Sequence, residues 1–128
     1  GKTTFVKYFI NNLQKKAKTK ITEIPSPTFN IVYEYKIKNL RIQHFDLYRL
    51  KNKKECLNIG LFEEDNVVSI IEWPEKVYLK PKKRIEIFFK YFDNHNSRVL
   101  KIKFFKKKRN LKKKNNKIKR RCLRKEIL

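Results

Sequence analysis

The sequence predicts an α/β protein with a mixed sheet. Three observations carry that reading: an amphipathic helical stripe opens the chain, stretches of strict alternation follow, and a near-continuous apolar run lies between them. At 128 residues the chain has the size of about one domain. Hydrophobic residues make up 40%, with 10 Phe, 6 Tyr and 1 Trp, so a core is available and wholesale disorder is excluded. No apolar run approaches the roughly 18 residues of a membrane-spanning helix.

Residues 4–17 read as the helix. Phe5, Val6, Phe9, Ile10, Leu13 and Ala17 fall on one stripe, with Lys7, Asn11, Lys15 and Lys18 opposite. Pro25-Ser26-Pro27 then forces an extended or turning segment. From Phe29 the period becomes two: Phe29, Ile31, Tyr33, Tyr35 and Ile37 point one way, Asn30, Glu34, Lys36 and Lys38 the other. A short turn at Lys38-Asn39 leads into a strand over Leu40 to Leu47, the pair forming an antiparallel hairpin. Residues 52–59 suit a short helix closed by Gly60. The apolar run Val67 to Ile71 suits a central strand covered on both faces, and it ends in Glu72-Trp73-Pro74. A last hairpin follows, with strands over 84–92 and 98–105. Two segments result: a body over residues 1–105 and a basic low-complexity tail over 106–128.

Lys and Arg number 35 against 12 Asp and Glu, a net charge of +23. The tail alone holds 13 Lys/Arg and one Glu. Such a balance suits attraction to nucleic-acid phosphates. It equally follows from the composition bias of an AT-rich genome, since Lys, Asn, Ile and Phe abound and Ala17 is the only Ala. The apolar positions of the tail are too sparse to offset ordering entropy, so it is expected to lie outside the core. Cys56 and Cys122 are far apart, with no CxxC and no neighbouring His. That spacing argues against a zinc site or disulfide framework and for a reducing, cytoplasmic setting without a membrane. The chain opens on Gly1 and has no Met, which reads as a piece of a longer product.

Three short motifs carry chemistry. Gly1-Lys2-Thr3-Thr4 running into a helix matches the end of a G-x-x-x-x-G-K-[ST] phosphate loop. A helix N-terminus offers free N–H groups to phosphate oxygens, Lys2 would reach the β- and γ-phosphates, and the Thr3 hydroxyl would sit on Mg²⁺. The competing reading is an ordinary helix start with Thr near its cap. The second motif, His44-Phe45-Asp46-Leu47-Tyr48-Arg49, places Asp46 at a strand end. There it serves either a Mg²⁺ site or a turn. His44 reads as a hydrogen-bonded structural histidine. In the third, Glu72-Trp73-Pro74-Glu75, a carboxylate ends the most hydrophobic strand, well placed as a Mg²⁺ ligand or water-orienting group. Trp73 suits a contact to a base or a partner, or a core edge. Glu63, Glu64 and Asp65 read as solvated surface acids.

Taken together, GKTT, Ser26-Pro27-Thr28-Phe29, the 44–50 segment, Gly60 and Glu72-Trp73-Pro74-Glu75 occur in an order and spacing that resemble the bacterial TsaE (YjeE) family. The resemblance covers residues 1 to about 105. It implies a P-loop NTPase-like fold and a weak ATPase that uses ATP and Mg²⁺. It also implies a role assisting the TsaB–TsaD complex in threonylcarbamoyl modification of the tRNA adenosine next to the anticodon, with tRNA contacted indirectly. By the same resemblance Gly1, Lys2, Thr3, Thr4, Thr28 and Trp73 contribute to the nucleotide site, Thr28 from a switch-like loop. Asp46 and Glu72 are the catalytic acids, and Thr3 and Glu72 hold the metal. The family's first strand and the front of its phosphate loop are missing from residues 1–128, so this stretch alone is expected to bind ATP·Mg²⁺ poorly and to hydrolyse none. Two other functions fit the composition: a basic RNA-binding module in which GKTT is accidental, and a P-loop kinase of a small metabolite. Convergence of Thr3, Asp46 and Glu72 separates the first reading from the RNA-binding one.

Overall fold

The computed structural model describes residues 1–25, 30–91 and 97–106. Thr28 and most of the tail lie outside the described residues, so the expectations for them are not tested by the fold.

The first helix, α1, spans Lys2–Lys16, beginning two residues earlier than the stripe suggests. Its apolar face is the predicted one, with Val6 and Ile10 fully covered. It stops in a Schellman turn: Lys18 takes φ 55, its N–H donates to the Lys15 carbonyl, and the Thr19 N–H donates to the Gln14 carbonyl. Buried Gln14 then ties the helix to the following segment, donating to Thr22 Oγ1 at 2.8 Å and accepting from the Thr22 N–H at 3.1 Å.

Strands β1 (Val32–Ile37) and β2 (Leu40–Asp46) form the expected antiparallel hairpin. Its two-residue loop starts at Lys38 with φ 53, the positive value that the primed hairpin turns share. Strand β3 (Val67–Glu72) pairs with β2 in parallel, giving the order β1-β2-β3 and the predicted mixed sheet. The expectation for β3 as the strand covered on both faces is corrected. Among the described residues β3 is an edge, with Val68 43% exposed, whereas β2 is central and buried from Ile42 through Asp46. The apolar run was a real strand signal, but one stretch of sequence does not reveal which neighbours a strand has.

Pleating divides the sheet into two cores. On the α1 side Val6, Ile10, Ile24, Ile37 and Ile42 pack with Tyr35 and Ile70. On the other side Phe45, Leu47, Leu50, Cys56 and Val77 pack with Val32, Ile71 and Trp73. Ile31 belongs to this second core, not with Tyr35 as alternation suggested, because β1 begins only at Val32 and the chain bends before it. The helix expected over 52–59 is a 3₁₀ helix, Lys53–Ile59. Asn52 accepts from the Glu55 N–H and donates to the Glu55 side chain, and Gly60 ends the helix at φ 73.

Strands β4 (Arg84–Tyr91) and β5 (Arg98–Phe105) make a separate two-stranded antiparallel sheet. It meets the body near the start of α1, where Phe89 packs edge-on against Phe5 at 5.7 Å between ring centroids. No helix among the described residues is long and apolar enough to cross a membrane.

Candidate functional site

The site lies where the N-terminus of α1 meets the carboxyl ends of the parallel strands β2 and β3. Gly1 caps α1 without a side-chain bond, and the first intrahelical bond runs from the Phe5 N–H to the Gly1 carbonyl. The N–H groups before Phe5 therefore have no partner within the helix. The first turn carries no acid and does carry Lys2, so its charge adds to the positive end of the helix dipole. Such an end suits an anion.

Thr3 does not cap the helix. Its hydroxyl donates instead to Glu72 Oε2 at 3.2 Å, across 69 positions of sequence. Glu72 is only 6% exposed, at the end of β3. Its other oxygen, Oε1, lies 3.0 Å from His44 Nε2 on β2, whose ring is fully buried. An ionised carboxylate only accepts, so Nε2–H is the donor. Register explains the meeting: His44 stands opposite Ile70 and Asp46 opposite Glu72, so His44 and Glu72 are diagonal neighbours on one face of the sheet.

Asp46, also buried, accepts the Tyr48 N–H on Oδ1 at 3.0 Å. This is the turn role that the local sequence allowed, held directly beside Glu72 in the register. Lys2 places Nζ 4.0 Å from the centroid of the Trp73 ring, and Trp73 in turn packs on Tyr48 at 5.0 Å. Trp73 takes φ 61 and ψ 52, a left-handed conformation that costs a bulky residue on the order of 1–3 kcal/mol. It precedes Pro74, where the helical region is already disfavoured. Lys76 braces the same corner, its ammonium donating to the Tyr48 and Leu50 carbonyls.

Of the residues predicted from sequence, Lys2, Thr3, Asp46, Glu72 and Trp73 gather at this corner, with Gly1 at its edge. Thr4 is exposed, on the helix start. Tyr48, Lys76 and the His44 link to Glu72 were missed. Only the two-residue spacing of His44 and Asp46 along a strand hinted that both face the same way. Glu64 also departs from expectation, being paired with Arg41 at 2.6 Å and accepting from Gln43 at 3.0 Å rather than merely solvated.

Among the described residues no three His, Cys, Asp or Glu side chains form a metal cage. A hydroxyl and a carboxylate converging at a helix N-terminus are the sparse donor set that suits Mg²⁺, which keeps waters and shares phosphate oxygens. The residues present therefore fit a metal–nucleotide pair.

Residues 1–100 match the family profile described as threonylcarbamoyl adenosine biosynthesis protein TsaE. The chain belongs to the TsaE family. It is 39% identical over 106 residues to the tRNA threonylcarbamoyladenosine biosynthesis protein TsaE of Rickettsia typhi, a match covering 80% of this chain and 69% of that protein. The protein of the same name from Haemophilus influenzae is 35% identical over 97 residues, covering 73% and 58% respectively. That of Bacillus subtilis is 35% identical over 92 residues, covering 70% and 54%. The chain thus spans between about half and two thirds of the length of these TsaE proteins. Membership of the family supports a role in threonylcarbamoyladenosine biosynthesis.

Proposed function

We propose that this chain carries the Mg²⁺–nucleotide corner of an ATPase that assists the TsaB–TsaD complex in threonylcarbamoyl modification of tRNA, in the cytoplasm. The observation that carries the reading is the Thr3–Glu72 contact. A hydroxyl directly after the candidate phosphate-binding lysine meets a strand-end carboxylate instead of capping its own helix. In this reading Lys2 turns from the Trp73 ring to the β- and γ-phosphates, and the N–H groups at the start of α1 bind phosphate oxygens. Thr3 and Glu72 hold Mg²⁺, whose chemistry when bound is to neutralise charge on the transferred phosphoryl group. Asp46 stabilises the corner beside Glu72. The fold is then of the P-loop NTPase type, with a strand preceding Gly1 paired to the open edge of β3. The partly exposed Val68 is consistent with that placement.

Titration calorimetry with ATP and Mg²⁺ tests the reading. Tight, Mg²⁺-dependent binding is expected in the full-length protein and poor binding in residues 1–128, because the loop N–H groups that grip phosphate precede Gly1. Micromolar affinity of residues 1–128 alone would move the recognition elements elsewhere.

A further inference from the structure

We propose that His44 is a positioning residue. By donating Nε2–H to Glu72 Oε1 it fixes the carboxylate so that Oε2 is the oxygen turned to Thr3 and the metal site. The proposal rests on the nucleotide reading above and adds to it a group that touches neither metal nor nucleotide.

His44 stands where the core under α1 meets the polar corner. Its neighbours on the same face are Ile42 and Asp46 along β2 and Ile70 across on β3, the two isoleucines packing in that core. An imidazole placed there loses its hydration entirely, which costs free energy unless its nitrogens find partners. Among the described residues only one does: Nε2 meets Glu72, while Nδ1 is buried without a hydrogen bond. A proton on Nδ1 would be an orphaned buried donor, so the tautomer that fits carries its hydrogen on Nε2. Core packing alone gives no reason for an imidazole here, since an aliphatic side chain would fill the space without leaving Nδ1 unpaired. The contact to Glu72 does.

The terminal torsion of a glutamate is broad, so a carboxylate held by one oxygen swings. Glu72 is held by both: Oε1 by His44 at 3.0 Å and Oε2 by Thr3 at 3.2 Å. If Thr3 turns its hydroxyl oxygen towards a cation, the bond to Oε2 is released and His44 alone keeps the carboxylate aimed. A group that bonds a metal-ligating side chain in this way contributes to affinity without contacting the metal.

The test uses two polar substitutions of similar volume in the full-length protein. In His44→Gln the side-chain amide reaches the place of Nε2, and in His44→Asn only that of Nδ1. Binding of a non-hydrolysable ATP analogue is measured by calorimetry with Mg²⁺ and with chelator, and ¹⁵N spectra of the ring report the tautomer. His44→Gln is expected to stay close to the unsubstituted protein. His44→Asn should lose about 10- to 100-fold of the Mg²⁺-dependent affinity, with affinity in chelator unchanged. The ring should show a protonated Nε2 and a bare Nδ1. Equal losses with and without Mg²⁺, no loss in His44→Asn, or a bare Nε2 would each overturn the positioning role alone. Absence of any Mg²⁺-dependent affinity in the unsubstituted protein would overturn the nucleotide reading, and the role of His44 with it.

Discussion

The body formed by α1 and the β1-β2-β3 sheet treats polar and apolar residues in the opposite way from the β4–β5 hairpin. At the carboxyl end of the β1-β2-β3 sheet, His44, Asp46 and Glu72 are buried in a core and bonded. On β4–β5, Ile85, Leu100, Ile102 and Phe104 stand exposed, Phe104 by 63%. The charges there lie over aromatic rings, Arg84 on Phe105 and Lys103 on Phe88. Burying three polar groups is costly and has to be offset by specific partners. A two-stranded hairpin has no such cost and little stability of its own. The buried polar cluster therefore belongs to the body, and the hairpin rests against it at Phe5.

The largest expected contrast lies between two cations that each sit over an aromatic ring, Lys2 over Trp73 and Lys103 over Phe88. In the full-length protein Lys2→Ala should abolish ATP hydrolysis and weaken nucleotide binding by about 10- to 100-fold, the scale of one charge-assisted hydrogen bond. Lys103→Ala should leave both unchanged. Turnover assays and calorimetry on the pair decide it: equal turnover for Lys2→Ala and its parent would remove Lys2 from the site.

Stability should separate the regions next. Phe45 is 1% exposed in the core opposite α1, so Phe45→Ala is expected to cost about 3–5 kcal/mol. Phe104→Ala, which removes only a cross-strand pair with Ile85, should cost less than about 1 kcal/mol. Urea unfolding of both variants measures the difference. A large loss at Phe104 would show that the hairpin's apolar face is covered in solution.

The elements on both sides of this division were legible in the sequence, but the division was not, since residues 84–105 read as part of one body with the rest and only the strand pairing separates them. The two hairpins, α1 and the parallel strand all follow from period and turn residues, because these are local properties. The stretches GKTT, 44–50 and 72–75 also supplied residues that the fold brings to one corner, Thr3 and His44 each meeting Glu72. Sequence did not reveal that β3 is an edge among the described strands, since an apolar run looks alike wherever its strand lies. It did not distinguish a capping Thr3 from one bonded to Glu72, because that choice depends on a residue 69 positions away. Nor did it connect His44 to Glu72, a diagonal contact that exists only once the register of β2 on β3 is fixed.

Glu72→Gln gives a narrower contrast. The amide is nearly isosteric, so the fold should survive, and the melting temperature should move by only a few degrees. The charge that faces Thr3 is lost, so turnover should become weakly dependent on Mg²⁺. The same change at Glu86, bonded to Arg84 at 2.8 Å on the hairpin, should alter neither property of the site. Rates measured across a Mg²⁺ series check this, and an unchanged dependence in Glu72→Gln would return Glu72 to a purely structural role.

The smallest expected effect is on pH dependence, and it should have opposite sign in the two regions. In the body, burial pushes the Cys56 thiol up, with the nearby Glu55 charge adding to the shift. The unfolded chain then loses that proton first, so stability is full below the ordinary thiol range of about 8.5 and falls as pH rises beyond it. On the hairpin, the hydrogen bond from Arg84 holds the Glu86 carboxyl below its usual range, and Lys80 contributes to the same shift. There the unfolded chain takes up the proton first as pH falls, so the contribution is present above the ordinary carboxylate range of about 4.3 and is lost below it. Cys56→Ser should flatten the alkaline limb of the stability curve, and Glu86→Gln the acid limb. Because Glu86 keeps part of its side chain in water, the acid effect should also shrink in high salt, whereas the buried thiol should be nearly indifferent to it. Urea midpoints at pH 4, 7 and 9.5, each at low and high salt, resolve the two limbs. An alkaline limb that weakened with salt would mean that surface charge, not the buried thiol, sets the pH response of the body.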